Sequence, residues 1–126
     1  MYTYKAKLDR VIDGDTIDAH IDLGFDVTIH KRIRLAGIDT PESRTRDLEE
    51  KARGLAAKEY LVTVLSSGDF ILESKEVGKY GRVLGTILLN AKLNGYETDE
   101  EYININDLLI EEGFAVKYDG GSKNKK

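Results

Sequence analysis

The first third of the chain alternates between apolar and polar positions with a period of two. In "DTIDAHID", Ile17, Ala19 and Ile21 share one parity, and Thr16, Asp18, His20 and Asp22 share the other. In "DVTIHKRIRL", Val27, Ile29, Ile33 and Leu35 lie opposite Thr28, His30, Arg32 and Arg34. This alternation predicts half-buried antiparallel strands, joined around Gly24 in a hairpin. Lys31 interrupts the pattern and predicts a bulge or a strand leaving the sheet edge. "YTYKAKLDRVI", ahead of Asp13, predicts another strand of the same meander. From residue 47 to 67 the period lengthens. Leu48, Ala52, Leu55, Val62 and Leu65 mark the apolar face of an amphipathic helix, with Gly68 as its C-cap. Apolar strands follow around residues 70–72 and 83–89, joined by the turn "GKYGR". Asn104 or Asn106 can cap a short helix, "DLLIEEG", closed by Gly113.

Five strands with one helix inserted between the third and fourth predict a mainly β, α+β fold. The expected form is a five-stranded Greek-key barrel of the OB type with two helices packed on it. One domain is expected over residues 1–118, followed by a flexible basic tail, "DGGSKNKK", at residues 119–126. A chain of 126 residues, 40% of them hydrophobic, can bury one real core. No apolar run approaches the roughly 18–20 residues that span a bilayer, so no membrane partner is expected. "MYTYKAKLDRVIDGD" lacks the apolar stretch of a leader. The cytoplasm is therefore the expected compartment, with secretion of a processed form left open.

Composition narrows the chemistry. There is no cysteine, hence no disulfide and no thiolate nucleophile, and there are only two histidines, His20 and His30. A zinc site built from Cys and His is thereby excluded in practice, and any metal is expected to be a hard cation on oxygen ligands, Ca²⁺ or Mg²⁺. The net charge of −4 speaks against nucleic acid, but seven of the 23 acids fall within residues 97–112, which hold no base. Elsewhere the 19 lysines and arginines outnumber the acids, so a basic groove remains open.

Two stretches place carboxylates where strands end. "VIDGDTID" puts Asp15 at the core-facing parity of its strand, where an unpaired carboxylate is costly to bury. The plainer reading is that Gly14 kinks the chain and Asp15 steadies a turn. "RLAGIDTPES" runs from an apolar strand into Asp39 and Glu42, flanking a proline that fixes the backbone. An ordinary Asx-type turn explains that stretch equally well. Arg34, on the polar face, reads either as a solvated strand residue or as a phosphate clamp. "KYGR", residues 79–82, offers cations and a ring, suited to a nucleotide or to a plain turn.

Taken in order, "DGDT" (13–16), "RLAGIDTPE" (34–42), "KYGR" (79–82) and "INDLLIEEGFA" (105–115) resemble the thermonuclease family, the staphylococcal-nuclease-like phosphodiesterases. The resemblance covers roughly residues 5–118. It implies an OB barrel, one Ca²⁺ ion, and hydrolysis of DNA and RNA phosphodiesters with little sequence specificity, single-stranded or locally opened substrate being preferred. Carried over by motif, it implies Asp15 and Asp39 as carboxylate ligands, with the Thr40 main-chain carbonyl as a third. Glu42 would activate the attacking water, and Arg34 and Arg82 would grip the scissile phosphate. Lys79 and Tyr80 match positions that contact a neighbouring phosphate, and Tyr118 falls near tyrosines placed against the base.

Three departures from the family pattern stand out. No counterpart of the third, C-terminal helix of larger members is expected in this sequence. "NAKLNGYETDEEYINI" is longer and more acidic than the equivalent hairpin of the secreted enzyme, and residues 94–102 offer a protein-contact surface. The charge is negative where the secreted enzyme is basic. A monomer is expected. The rival readings are a catalytically inactive barrel that binds nucleic acid or protein, and a scaffold acting through its acidic loop. The presence of Asp15, Arg34, Asp39, Glu42 and Arg82 together favours the enzyme.

Overall fold

In a computed structural model that describes residues 2–77 and 81–118, the alternating segments form a closed barrel. Its strands are β1 (Tyr2–Asp13), β2 (Thr16–Gly24), β3 (Val27–Leu35), β5 (Asp69–Val77) and β6 (Val83–Asn90), with β4 (Ile38–Asp39), β7 (Tyr102–Asn104) and β8 (Val116–Lys117) as short additions. The sheet runs β3-β2-β1-β5-β6-β7, and a parallel pairing of β3 with β6 closes it. A five-stranded, closed barrel carrying two helices is the OB-type fold expected from the sequence.

Ile17, Ala19 and Ile21 point inward as the alternation predicts, together with Ile33, Leu35 and Leu72. The β2–β3 hairpin overhangs this core. Val27, at the inward parity, is consequently 50% exposed, and the turn is made by Phe25 and Asp26, both at positive φ (55° and 62°). Lys31 sits in unbroken register opposite Ala19, so the bulge predicted there is not found. It is exposed although Ile29 and Ile33 on either side of it pack on the core and Ala19 opposite it is fully buried, and the strand stays paired past it, so it does not leave the sheet edge there either. The irregularities lie instead in β1, between Leu8 and Arg10 and between Val11 and Asp13, in β2 between Asp22 and Gly24, and in β5.

Helix α1 (Leu48–Val64) starts at Asp47, whose side chain accepts from the Glu49 and Glu50 amides. Its buried face differs from the one expected. Gly54, Ala57 and Leu61 face the barrel, while Leu48, Leu55 and Val62 are exposed at 78%, 45% and 48%. The physical reason is proximity. The helix lies so close to the loop after β4 that only glycine and alanine fit between them, and those residues carry little weight in a hydrophobic pattern. A Cβ on Gly54 would meet the Glu42 carbonyl carbon at 2.5 Å and the Ser43 amide nitrogen at 2.6 Å.

Helix α2 (Ile105–Glu111) is capped by Asn104, which accepts from the Asp107 amide at 3.0 Å. Asn106, the other candidate cap, is buried. Its amide group donates to the carbonyls of Ala36 (2.9 Å) and Gly85 (3.1 Å) and accepts from the Ile87 amide (3.1 Å). It thus ties α2 to β6 and to the turn that leads into β4. Phe114, just past α2, stacks on Tyr60 of α1 with ring centroids 4.4 Å apart.

Candidate active site at the ends of β2, β3 and β4

β2 begins and β3 ends at the same edge of the barrel, because Thr16 pairs with Arg34 across the ladder. The Leu35 amide donates to the Asp15 carbonyl at 2.9 Å, so Asp15 and Arg34 are brought together by strand pairing itself. After a turn at Gly37 the chain forms β4, held by pairing of Asp39 with Val116, and returns to Asp15. There the Thr40 amide donates to the Asp15 carboxylate at 3.1 Å. The spacing in "RLAGIDT" is thus the length of one strand end and one tight return.

Asp15 is 3% exposed, buried as its parity suggested. Its carboxylate also accepts from the Thr16 hydroxyl at 2.9 Å. The Arg34 guanidinium lies between the two aspartates, Nη1 at 3.5 Å from Asp15 and Nη2 at 3.5 Å from Asp39. Nη1 donates to the carbonyls of Leu35 (3.0 Å) and Ile38 (2.9 Å), which fix the plane of the group. The Tyr118 ring packs beside it, 5.6 Å from Cζ to centroid, and the Tyr118 amide donates to the Gly37 carbonyl at 2.9 Å. Arg34 is therefore a positioned charge and not a solvated strand residue. Three of the five guanidinium N–H groups are used by these bonds among the described residues.

Pro41 and Glu42 follow. The Glu42 side chain is exposed and accepts no hydrogen bond among the described residues, whereas its backbone is held on two sides. Its amide donates to the Glu50 carboxylate at 3.1 Å, and its carbonyl rests against Gly54. The Ser43 hydroxyl donates to Asp13, fastening the loop to the "DGD" turn. Gly14 in that turn approaches α1 equally closely, since a Cβ there would lie 2.7 Å from Ala57 Cβ and 3.0 Å from Thr40 Cγ2. Arg82 is exposed and directly precedes β6, whose Leu84 pairs with Arg34. Lys79 and Tyr80 lie outside the described residues.

The donor set suits a hard cation. Two carboxylates and the Thr40 carbonyl are oxygen ligands of the kind Ca²⁺ and Mg²⁺ take. Charge-assisted bonds usually close to about 2.7–2.9 Å, so Arg34 compensates the buried Asp15 carboxylate only loosely at 3.5 Å. The Thr40 hydroxyl is buried with no hydrogen-bond partner among the described residues. That is a common mark of a site built for a further ligand.

Sequence reasoning missed the fastening residues Gly54, Ser43 and Asn106. It also missed the ion-paired Asp18, whose carboxylate is bound by Arg32 Nε (2.8 Å) and Arg10 Nε (3.1 Å). The hydrogen bond from Arg32 holds the Asp18 pKa at about 2, against the opposing effect of burial and with further help from Arg10. His20 and His30, which the sequence left as two isolated imidazoles, come together with Asp9. A groove of about 650 Å³ elsewhere on the barrel is lined in part by Lys5, His20, Asp22, Asp69, Asn94 and Tyr102, and none of Asp15, Arg34, Asp39, Thr40 and Glu42 borders it.

The chain is thus an OB-type barrel with two aspartates gathered around one positioned arginine at a strand edge. Residues 32–126 match the family model described as "Staphylococcal nuclease homologue", and the chain belongs to that family. It is 34% identical over 115 residues to micrococcal nuclease of Shigella flexneri, covering 91% of this chain and 59% of that protein. Protein ParB of Escherichia coli is 31% identical over 114 residues, covering 90% and 57%. Endonuclease YhcR of Bacillus subtilis is 33% identical over 123 residues, 91% of this chain but 9% of that protein. The chain thus spans well under two thirds of the length of these relatives. No helix among the described residues is long and apolar enough to cross a membrane.

Proposed function

We propose that this domain hydrolyses phosphodiester bonds of DNA and RNA, with Ca²⁺ and with little sequence specificity, by attack of water on phosphorus. The observation that carries the reading is the fixed Arg34 guanidinium between Asp39 and the buried Asp15, followed two residues after Thr40 by Glu42, whose exposed carboxylate accepts no bond among the described residues and whose backbone is clamped. Asp15, Asp39 and the Thr40 carbonyl would hold the ion. A cation bound there would neutralise phosphate charge and lower the pKa of a nearby water. The Arg34 guanidinium, joined by Arg82, would bind phosphoryl oxygens in the planar, forked manner that suits charge developing at phosphorus. Glu42 would take the proton from the attacking water. Substrate would be held through backbone charge and base stacking, with Lys79, Tyr80 and Tyr118 as contacts and unpaired strands preferred.

The test is digestion of denatured DNA in Ca²⁺, in Mg²⁺ and in EGTA, comparing wild type with Glu42→Gln. Release of short products in Ca²⁺, lost in EGTA and reduced about 10²–10⁴-fold in the variant, is the expected result. Absence of cleavage by folded wild-type protein under all three conditions would overturn the proposal and leave a binding module.

A further inference from the structure

A second constellation of ligand-type side chains lies on the outer face of the barrel. His20 of β2 and His30 of β3 are direct cross-strand partners, their ring centroids 4.7 Å apart. Asp9 of β1 joins them because β1 carries an extra residue at that point. Leu8 pairs with Ala19 and Arg10 with Asp18, so Asp9 is the bulged residue, and bulges commonly re-aim a side chain. One Asp9 oxygen lies 2.8 Å from His30 Nε2, and the ligand atoms of all three residues fall within 4.8 Å of one another. All three are exposed.

We infer that Asp9, His20 and His30 form a binding site for one divalent transition-metal ion of the zinc class. Two imidazoles and one carboxylate make a borderline donor set that favours Zn²⁺, Co²⁺ or Ni²⁺ over the hard cation expected near Asp15. Ligand lengths of about 2.0–2.1 Å place tetrahedral donor atoms about 3.3 Å apart. The longest gap must therefore close by about 1.5 Å, within reach of side-chain rotation at exposed positions. The neighbouring cations are already committed, Lys7 to Asp69 at 3.1 Å and Arg32 to Asp18 at 2.8 Å, so they oppose an incoming ion only weakly. The three ligands come from three adjacent strands, so the ion would clip β1, β2 and β3 together. His20 lies five residues along β2 from Asp15, about 16 Å at the rise of a strand, which separates this site from the proposed catalytic one.

The test uses protein freed of any histidine tag. Zn²⁺ is titrated by calorimetry, Co²⁺ is followed by its visible absorption, and melting is recorded with and without Zn²⁺. Wild type is expected to bind one ion per chain and to melt higher with Zn²⁺, because an ion held only by the folded state stabilises it. His30→Ala and Asp9→Asn should each weaken binding by about 10–100-fold or more. His20→Ala/His30→Ala should abolish the binding, the Co²⁺ bands and the melting shift, with an unchanged circular dichroism spectrum and unchanged Ca²⁺-dependent digestion. No saturable binding by wild type, or binding undiminished in the double variant, would overturn the inference, whatever the outcome of the nuclease assay.

Discussion

Gly54→Ala tests how the candidate site is held. In the interior of an exposed helix, this change ordinarily stabilises by about 1 kcal/mol, because glycine gives up more backbone freedom on folding. Here the new methyl would lie 2.5 Å from the Glu42 carbonyl carbon and 2.6 Å from the Ser43 nitrogen. Carbon contacts are comfortable from about 3.5 Å, so helix and loop must part by about 1 Å. The obstacle is backbone, which cannot rotate aside as a side chain would. Overpacking of this kind costs about 1–3 kcal/mol. After the propensity gain, a net loss of up to about 2 kcal/mol remains, or up to about 8 °C in Tm for a chain of this size. The larger effect should fall on activity. A 1 Å displacement of a reacting group can cost about 10²-fold, and the segment displaced carries Glu42. The assay pairs thermal melting with digestion of denatured DNA in Ca²⁺, using Ala52→Gly on the exposed face of the same helix as control. That control should lose about 1 kcal/mol from propensity alone and keep its activity. A Gly54→Ala protein that melts higher than wild type and cuts at the wild-type rate would refute the close-approach argument.

Asp18→Asn should matter at neutral pH and cease to matter in acid. The folded pKa of about 2 lies below the ordinary aspartate value of 3.8, so the stabilisation is complete above about pH 4 and is lost as pH falls through about 2. Its partners Arg10 and Arg32 are 65% and 43% exposed, so solvent screening limits the effect to about 1 kcal/mol. Chemical denaturation of both proteins between pH 2 and 6 should show the gap closing at the acid end, and a gap independent of pH would contradict the assignment. At the hairpin tip, Phe25→Asn with Asp26→Gly gives positive-φ positions the residues that tolerate them. Since Phe25 is 100% exposed and loses no packing, a gain of about 1–2 kcal/mol is expected in urea denaturation. Asn106→Ala leaves the Ile87 amide without its buried acceptor and removes a donor from the Ala36 carbonyl, while the Gly85 carbonyl keeps the Ala36 amide, and should cost about 1–3 kcal/mol by the same measurement. A loss under 1 kcal/mol would show that water replaces the amide.

The strands were legible because burial on one face of a sheet writes itself into alternate residues, and Ile17, Ala19, Ile21, Ile33 and Leu35 all obey. The helix α1 was legible in extent but not in facing. Its contact with the site loop is made by Gly54 and Ala57, chosen for smallness, so the apolar stripe at Leu48, Leu55 and Val62 points outward and misleads any reading that weighs hydrophobicity alone. The same distinction runs through the site. Asp15 was recognisable because a carboxylate at an inward parity violates the local pattern, and Arg34, Asp39 and Glu42 because they crowd one strand end. Ser43, Asn106 and the Asp9–His20–His30 cluster violate nothing along the chain. Ser43 reaches Asp13 across 30 residues and Asn106 reaches Ala36 across 70, and those pairings exist only once the barrel has closed.

Lys31 and Asp9 show the limit of pattern reading most directly. Lys31 breaks the alternation without breaking the ladder, standing exposed between Ile29 and Ile33, which both pack on the core. Asp9 sits at a real bulge in a stretch whose sequence gives no sign of one. A period-two pattern reports what burial demands of a strand, and where burial stops, register can change or persist without leaving a trace. The outer face of β1, β2 and β3 is such a region. There the Arg10–Asp18–Arg32 cluster and the histidine pair are arranged by ladder register and by one inserted residue. Deleting Asp9 would restore the regular ladder and turn the remainder of β1 by one position. The groups that the bulge brings together are therefore a consequence of its placement, which backbone pairing reveals and hydrophobic pattern does not.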